Sequence, residues 1–239
     1  MCGTTGPAYV GDMLIAEDLL LLLYDDETGK PITGSPGLDY ALAGAVLIEL
    51  TLLGKTDITT AADGVKPGRL KVLDTAPTGE AILDERLAFV AANPGKRPKD
   101  QIGRLSKKLR DQLLSQLAQR GVLDEAEGKI LGLFPVTRWP AKDARHEAEV
   151  RSKLESVLKV GTTPDERTGA LIALLSALNV VPKVVTDAVD KKALKQRAKD
   201  IAESDWAADA VKKAVAEMQA AVTAAVVVAS TSAATAGSS

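Results

Sequence analysis

The sequence predicts a mainly α-helical protein, built as a single compact multi-helix domain with short β-hairpins. Over most of the chain, apolar residues return every three or four positions, which is the spacing of amphipathic helices. Two short apolar segments break that spacing, and both are bounded by glycine and proline, as hairpin strands are. The length of 239 residues suits one sizeable core, and because aromatic residues make up only 3%, that core must be aliphatic.

The first half of the chain carries clear start and stop signals. Asp12 is placed as the N-cap of a leucine-rich first helix, and Ser35 and Pro36 as the start of a second. Gly121 is a natural C-cap after a run of regularly spaced apolar residues. The predicted elements are a helix after residue 12, a helix over 35–54, a hairpin within 56–73, a helix over 78–93 and a helix over 102–121.

The second half begins with an apolar run at 128–136 that favours a strand or hairpin, because glycine and proline bound it. Helical spacing then predicts helices over about 144–160, 163–178, 182–203 and 205–228. Residues 229–239 contain only Ala, Ser, Thr and Gly, which is typical of a disordered tail. We therefore expect a flexible N-terminus at 1–12, one domain at 13–228 and the tail.

Composition argues against several classes of protein. Cys2 is the only cysteine and His146 the only histidine, so neither a disulfide framework nor a histidine-based metal site is expected. Phosphate-loop and dinucleotide motifs are absent, so the sequence does not support a nucleotide-binding fold, and no cofactor is expected. An enzyme using Glu49 or the pair Asp84 and Glu85 as acid and base is an alternative, but structural roles for these acids are favoured. Without a signal peptide or an apolar run of 18 residues, the sequence predicts a cytoplasmic protein.

Positive charge is concentrated in one segment. Residues 96–110 hold seven lysines and arginines against Asp100 alone, whereas the whole chain has a net charge of −2. Arg104, Lys107, Lys108 and Arg110 fall on the polar side of the predicted helix, and this concentration of charge indicates an anionic partner. A solvated helix surface is the alternative. Nucleic acid is not expected as a partner, because the pI is near 5.6 and stacking aromatic residues are scarce.

Two stretches of the chain resemble signature segments of the Golgi phosphoprotein 3 family: LIELTLLGK at 47–55 and APTGEAILDE at 76–85. Further segments agree in order and spacing, including the leucine-rich first helix, the helix that ends at Gly121, and residues 167–178. The resemblance covers about residues 13–228. The short start of uncharged or acidic residues and the Ala/Ser/Thr-rich end look like those of a prokaryotic branch of the family.

The resemblance implies a non-enzymatic peripheral membrane protein that binds phosphatidylinositol 4-phosphate headgroups in a basic pocket. In the family, two arginines one turn apart on the basic helix line this pocket, and they correspond to Lys107 and Arg110. Arg104 on the same helix completes the predicted headgroup site. The family's pocket tryptophan and third arginine correspond to Gly34 and Ala43, so both side chains are lost here.

The resemblance also implies self-association. The predicted hairpin around 127–135 matches a family element that joins subunits, and its apolar residues are Ile130, Leu131, Leu133 and Phe134. A hairpin packed on the core is the other interpretation. The alternative function is thus an oligomeric scaffold or interaction protein, a homo-oligomer that has lost lipid binding.

Overall fold

The computed structural model describes residues 13–130, 134–186, 190–204 and 206–236. Helices dominate these residues, and both sheets among them are two-stranded and antiparallel, which confirms the mainly α class. The elements are α1 (Ile15–Leu22), α2 (Ser35–Leu52), β1 (Thr56–Ile58), β2 (Leu70–Val72), α3 (Ala81–Ala92), α4 (Pro98–Leu105), α5 (Leu109–Gln119), β3 (Ala126–Ile130), β4 (Phe134–Arg138), α6 (Arg145–Glu155), α7 (Glu166–Ala177), α8 (Val181–Val184), α9 (Lys191–Glu203) and α10 (Asp209–Ala236).

Helix α2 lies at the centre of the fold and packs against α1, α7 and α10. Its leucines and alanines are buried on most sides, which explains a sequence that is apolar almost throughout. Gly44 allows α10 to come close, because a Cβ built at this position would lie 3.4 Å from Met218 Cβ. The core is aliphatic, as the composition predicts.

Helix α1 is buried over its whole length, including the acids Glu17 and Asp18. A buried carboxylate needs a partner. Arg120 Nη1 lies 3.1 Å from Glu17 Oε2. Asp18 is contacted by Arg167 at 3.1 Å and by His146 Nε2 at 2.6 Å. These three partners come from the end of α5, from α6 and from α7.

The predicted helix over 102–121 is wrong in one respect, because the chain forms two helices, α4 and α5. Lys108 has a φ of 57°, in the left-handed region, and ends the helical path between them. The residues 106–108 thus form a junction, which we call the α4–α5 junction. Likewise, the region expected as one helix over 182–203 contains the short α8 and the separate α9.

The last helix also differs from expectation. Helix α10 runs to Ala236, eight residues beyond the predicted end of the helix at 228. The disordered tail was expected to begin at 229. Alanine has the highest helix propensity of all residues, so an alanine-rich end can extend a helix that is already packed. Residues 237–239 and 1–12 lie outside the described residues. Among the described helices, none is both long and apolar enough to cross a membrane.

Candidate functional site

The three predicted headgroup-binding residues lie around the α4–α5 junction. Arg104 is in the last turn of α4, Lys107 is in the junction itself, and Arg110 is in the first turn of α5. Arg104 and Lys107 are exposed. Within the described part of the chain, their side chains form no hydrogen bond or ion pair. The structure therefore leaves two of the three cations open to an external anion.

Arg110 has a different environment, because it faces a carboxylate on α2. Its Nε lies 3.2 Å from Asp39 Oδ1, with 25% and 30% of the two side chains exposed. Burial raises the pKa of Asp39, and the positive charge of Arg110 opposes that rise. Arg110 also hydrogen-bonds the buried Tyr24, and burial raises the pKa of the Tyr24 hydroxyl. Arg110 thus helps to hold α5 against α2, and Asp39 offsets part of its charge.

Lys108 is a further cation of the junction that was not among the predicted site residues. It is exposed, and among the described residues its side chain has no partner. It lines an open groove of about 840 Å³ between the start of α3 and one face of α5. With Arg104 and Lys107 it forms what we call the junction cluster, a group of three exposed cations.

Arg86 on α3 organises the junction from beneath and was missed by the sequence analysis. It is 4% exposed. Its guanidinium donates to the carbonyl oxygen of Leu105 at 2.9 Å and to that of Lys107 at 3.3 Å. It therefore satisfies carbonyl groups that the end of α4 leaves unpaired. A signal was present in the sequence, since Arg86 lies on the buried stripe of α3 formed by Leu83, Leu87 and Val90.

The two pocket positions that lack the family's side chains lie in contrasting places. Gly34 is exposed at the N-cap of α2, and a Cβ built there meets nothing within 4 Å. Ala43 is 1% exposed and belongs to the core. The Ala43 side chain therefore offers no contact to an external ligand, while the space beside Gly34 is open.

The candidate catalytic acids have structural partners. Glu49 is 3% exposed, and its Oε2 accepts from the backbone N–H of Ile15 at 2.7 Å while Oε1 lies 2.8 Å from Arg167 Nη1. Burial raises the pKa of Glu49, and Arg167 opposes that rise. Glu49 thus ties the start of α1 to α2 and α7.

Asp84 and Glu85 also bond to neighbouring elements. Asp84 accepts from the backbone N–H of Thr78 at 2.6 Å and from its hydroxyl at 2.7 Å, just before α3. Glu85 accepts from Gln112 at 2.9 Å, and this bond lowers the pKa of Glu85. In the described ranges, no three histidine, cysteine or acidic residues are grouped so that they could hold a metal ion.

The second hairpin is formed by β3 and β4, whose backbone register runs from Ala126 opposite Arg138 to Ile130 opposite Phe134. A hairpin was predicted here, and the strands are present. Two of the four residues predicted for self-association, Leu131 and Leu133, lie outside the described residues. The role of the β3–β4 hairpin in self-association stays a prediction.

The Golgi phosphoprotein 3 (GPP34) family model matches residues 15–218. The chain is 27% identical to vacuolar protein sorting-associated protein 74 of Eremothecium gossypii in an alignment of 163 positions that covers 61% of this chain and 49% of that protein. For the protein of the same name from Schizosaccharomyces pombe, the identity is 23%, covering 61% of this chain and 48% of that protein. The chain thus spans about half the length of these relatives. Since the family model matches most of its residues, the chain belongs to the Golgi phosphoprotein 3 family.

Proposed function

We propose that this chain is a peripheral membrane protein that binds anionic, phosphatidylinositol 4-phosphate-like headgroups through the α4–α5 junction. The observation that supports this most directly is the junction cluster, in which Arg104, Lys107 and Lys108 are exposed and have no partner among the described residues. Membership of the Golgi phosphoprotein 3 family fits the same role. The two relatives are named for vacuolar protein sorting, which also fits work at a membrane.

The cluster is suited to phosphate by chemistry as well as by charge. Arg104 presents a planar guanidinium that can donate two hydrogen bonds to one phosphate group, while Lys107 and Lys108 act as less directional charges. Each cation near an anionic membrane contributes about 1 kcal/mol of binding free energy. The three together supply about 3 kcal/mol, which gives weak and reversible attachment on its own. Because the interaction is mainly electrostatic, binding should weaken as salt rises.

Arg86 gives the cluster a fixed shape. The buried guanidinium holds the carbonyl oxygens of Leu105 and Lys107, so the backbone of the junction is not free to follow its exposed side chains. It also donates to Gln112 Oε1 at 2.7 Å, which connects the junction to the next turn of α5. A preorganised backbone loses less conformational entropy when a headgroup binds.

Co-sedimentation with lipid vesicles tests the proposal. Vesicles of phosphatidylcholine alone, with phosphatidylinositol, and with phosphatidylinositol 4-phosphate are compared at low and at physiological salt. The double variant Arg104→Ala/Lys107→Ala should bind the last of these about 30-fold more weakly, from about 1 kcal/mol per cation. The matched control is Lys191→Ala/Lys195→Ala on α9, which removes two exposed cations without a side-chain partner in the described residues. Equal losses in both variants, or no binding by the wild type, would contradict the proposal.

The oligomeric scaffold is the second candidate. Both strands of the β3–β4 sheet have one outer edge without a strand partner among the described residues, and such edges can pair with another chain. The test is the molar mass in solution of Phe134→Asp, measured by light scattering after size exclusion. A fall to the monomer mass would support the scaffold, and an unchanged mass would count against it.

A further inference from the structure

A second surface lies between the β1–β2 hairpin and the end of α3. It is a groove of about 630 Å³, and its lining includes Val65, Leu73, Val90 and Pro94. Val65 is 55% exposed and Leu73 is 58% exposed. Only four large apolar residues in the described part of the chain are exposed to this degree, and two of them share this groove. Single exposed apolar residues are common, but a pair on one surface is a feature to explain.

Cations flank these apolar residues in the sequence. The two segments that border the groove, 65–74 and 94–99, contain six lysines and arginines and one acid, Asp74, which lines the groove and is paired with Lys55 at 2.5 Å. Two of the six have partners: Lys71 lies 2.7 Å from Asp63, and Arg69 donates to the carbonyl oxygen of Gly95 at 2.5 Å. The others are exposed and form no side-chain bond within the described ranges; they are Lys66, Lys96, Arg97 and Lys99.

We propose that this surface, which we call the hairpin surface, is a second membrane contact, in which Val65 and Leu73 enter the interfacial region of an anionic bilayer. The four cations without partners would then meet lipid headgroups around them. The inference rests on the proposed function in assuming that the chain works at a membrane. Helix α4 connects Lys99 near its start to Arg104 near its end, and eight residues span about 12 Å. The hairpin surface and the junction cluster are therefore separated by no more than about the length of α4.

The local backbone favours a bilayer over an added peptide strand. The N–H of Leu70 on β2 already donates to the carbonyl oxygen of Lys96 at 2.9 Å, so this position of the strand edge is occupied. Val65 stands in a tight loop between Gly64 and Gly68, whose φ values are +67° and +75°. A short loop with fixed turns presents its aliphatic side chain without a large ordering cost. Aliphatic side chains ringed by lysine and arginine are the pattern of interfacial membrane contacts.

A site-specific fluorophore tests this directly. Val65→Cys in a Cys2→Ser background is labelled with nitrobenzoxadiazole and mixed with vesicles of phosphatidylcholine and phosphatidylserine. The emission should rise and be quenched by lipids that carry a spin label on the acyl chain. The matched control is Val160→Cys, at a position that is 79% exposed in the turn after α6. Absence of quenching at 65, or equal quenching at both positions, would overturn the inference.

A binding measurement separates this surface from the junction cluster. Val65→Ser/Leu73→Ser should reduce binding at physiological salt by about tenfold, from the apolar area that no longer enters the bilayer. It should keep the preference for phosphatidylinositol 4-phosphate over phosphatidylserine, whereas Arg104→Ala/Lys107→Ala should lose it. If the label at 65 is quenched but the junction variant binds normally, the headgroup proposal fails and this inference stands. If the label responds to soluble polyglutamate and not to vesicles, the hairpin surface binds an acidic protein segment instead.

Discussion

The contact between Asp39 and Arg110 allows a direct test of how charge at the α4–α5 junction affects headgroup binding. Asp39 lies on α2, and its Oδ1 is 3.2 Å from Arg110 Nε. The substitution Asp39→Asn removes the negative charge and keeps an oxygen that can accept the same hydrogen bond. The packing of α5 on α2 should therefore survive. Because the charge of Arg110 is then no longer offset by Asp39, its attraction for an anion beside the junction should increase.

The size of the effect follows from exposure. An ion pair between side chains that are 25% and 30% exposed contributes about 0–1 kcal/mol to folding, so the fold should tolerate its loss. Burial also raises the pKa of Asp39, which means that the fold already disfavours its charged form. Removing one negative charge from a face turned to an anionic membrane should strengthen binding by about 1 kcal/mol, or about fivefold.

The assay is vesicle titration with phosphatidylinositol 4-phosphate, at low and at physiological salt. The control is Asp124→Asn, since Asp124 forms an ion pair as well, a more exposed one with Lys142 Nζ at 3.2 Å, outside the junction. Asp39→Asn should bind more tightly than wild type, the gain should shrink as salt rises, and Asp124→Asn should change little. Unchanged or weaker binding by a folded Asp39→Asn protein would refute the reasoning that Arg110 faces the headgroup.

Three further predictions concern stability. Burial raises the pKa of Glu147 to about 7, above its ordinary 4.5. The free energy of unfolding should therefore fall by up to about 3 kcal/mol as pH rises from 4.5 to 7. Glu147→Gln should remove this pH dependence in urea titrations across that range. Arg167→Met leaves two buried carboxylates without that countercharge and should lower the free energy of unfolding by about 3–5 kcal/mol at pH 8. The loss should be smaller at pH 5, because burial raises the pKa of Glu49 and its protonation removes one of the two charges. Equal losses at both pH values would argue against charge as the cause. Gly169→Ala would place a Cβ 2.4 Å from the ring of Trp206. This clash should lower the free energy of unfolding by about 1–3 kcal/mol, seen as a lower melting temperature. The fluorescence emission of Trp206 should also move to longer wavelength.

Elements set by local chemistry were predictable from the sequence. The start of α2 after Gly34, the end of α3 at Asn93 before Pro94, and the first hairpin all follow from turn residues and apolar spacing. The interpretation of Glu49 as a structural acid was predictable as well, because the apolar residues around it imply burial and burial demands a partner. That this partner is Arg167, 118 positions later, was not visible locally.

Features that depend on distant side chains were not predictable in this way. The apolar spacing over 102–121 is helical throughout, and nothing in those residues indicates the break at the junction. The break coincides with hydrogen bonds from Arg86, which is 19 positions from Leu105 along the chain. The end of α10 was hard to predict for a different reason. A segment rich in Ala, Ser and Thr has the composition of a disordered tail, but its alanines also have high helix propensity.

These distant contacts change what the site is expected to recognise. Counting charge along the sequence gives Arg104, Lys107 and Arg110 equal weight, but Asp39 offsets part of Arg110. Ala43 is in the core and Gly34 has no side chain, so Arg104 is the one exposed guanidinium in the junction cluster, and its other members are lysines. Guanidinium forks discriminate by geometry, whereas ammonium groups respond mainly to charge. We therefore expect affinity for different phosphorylated lipids to follow the net charge of the headgroup more closely than the position of its phosphate.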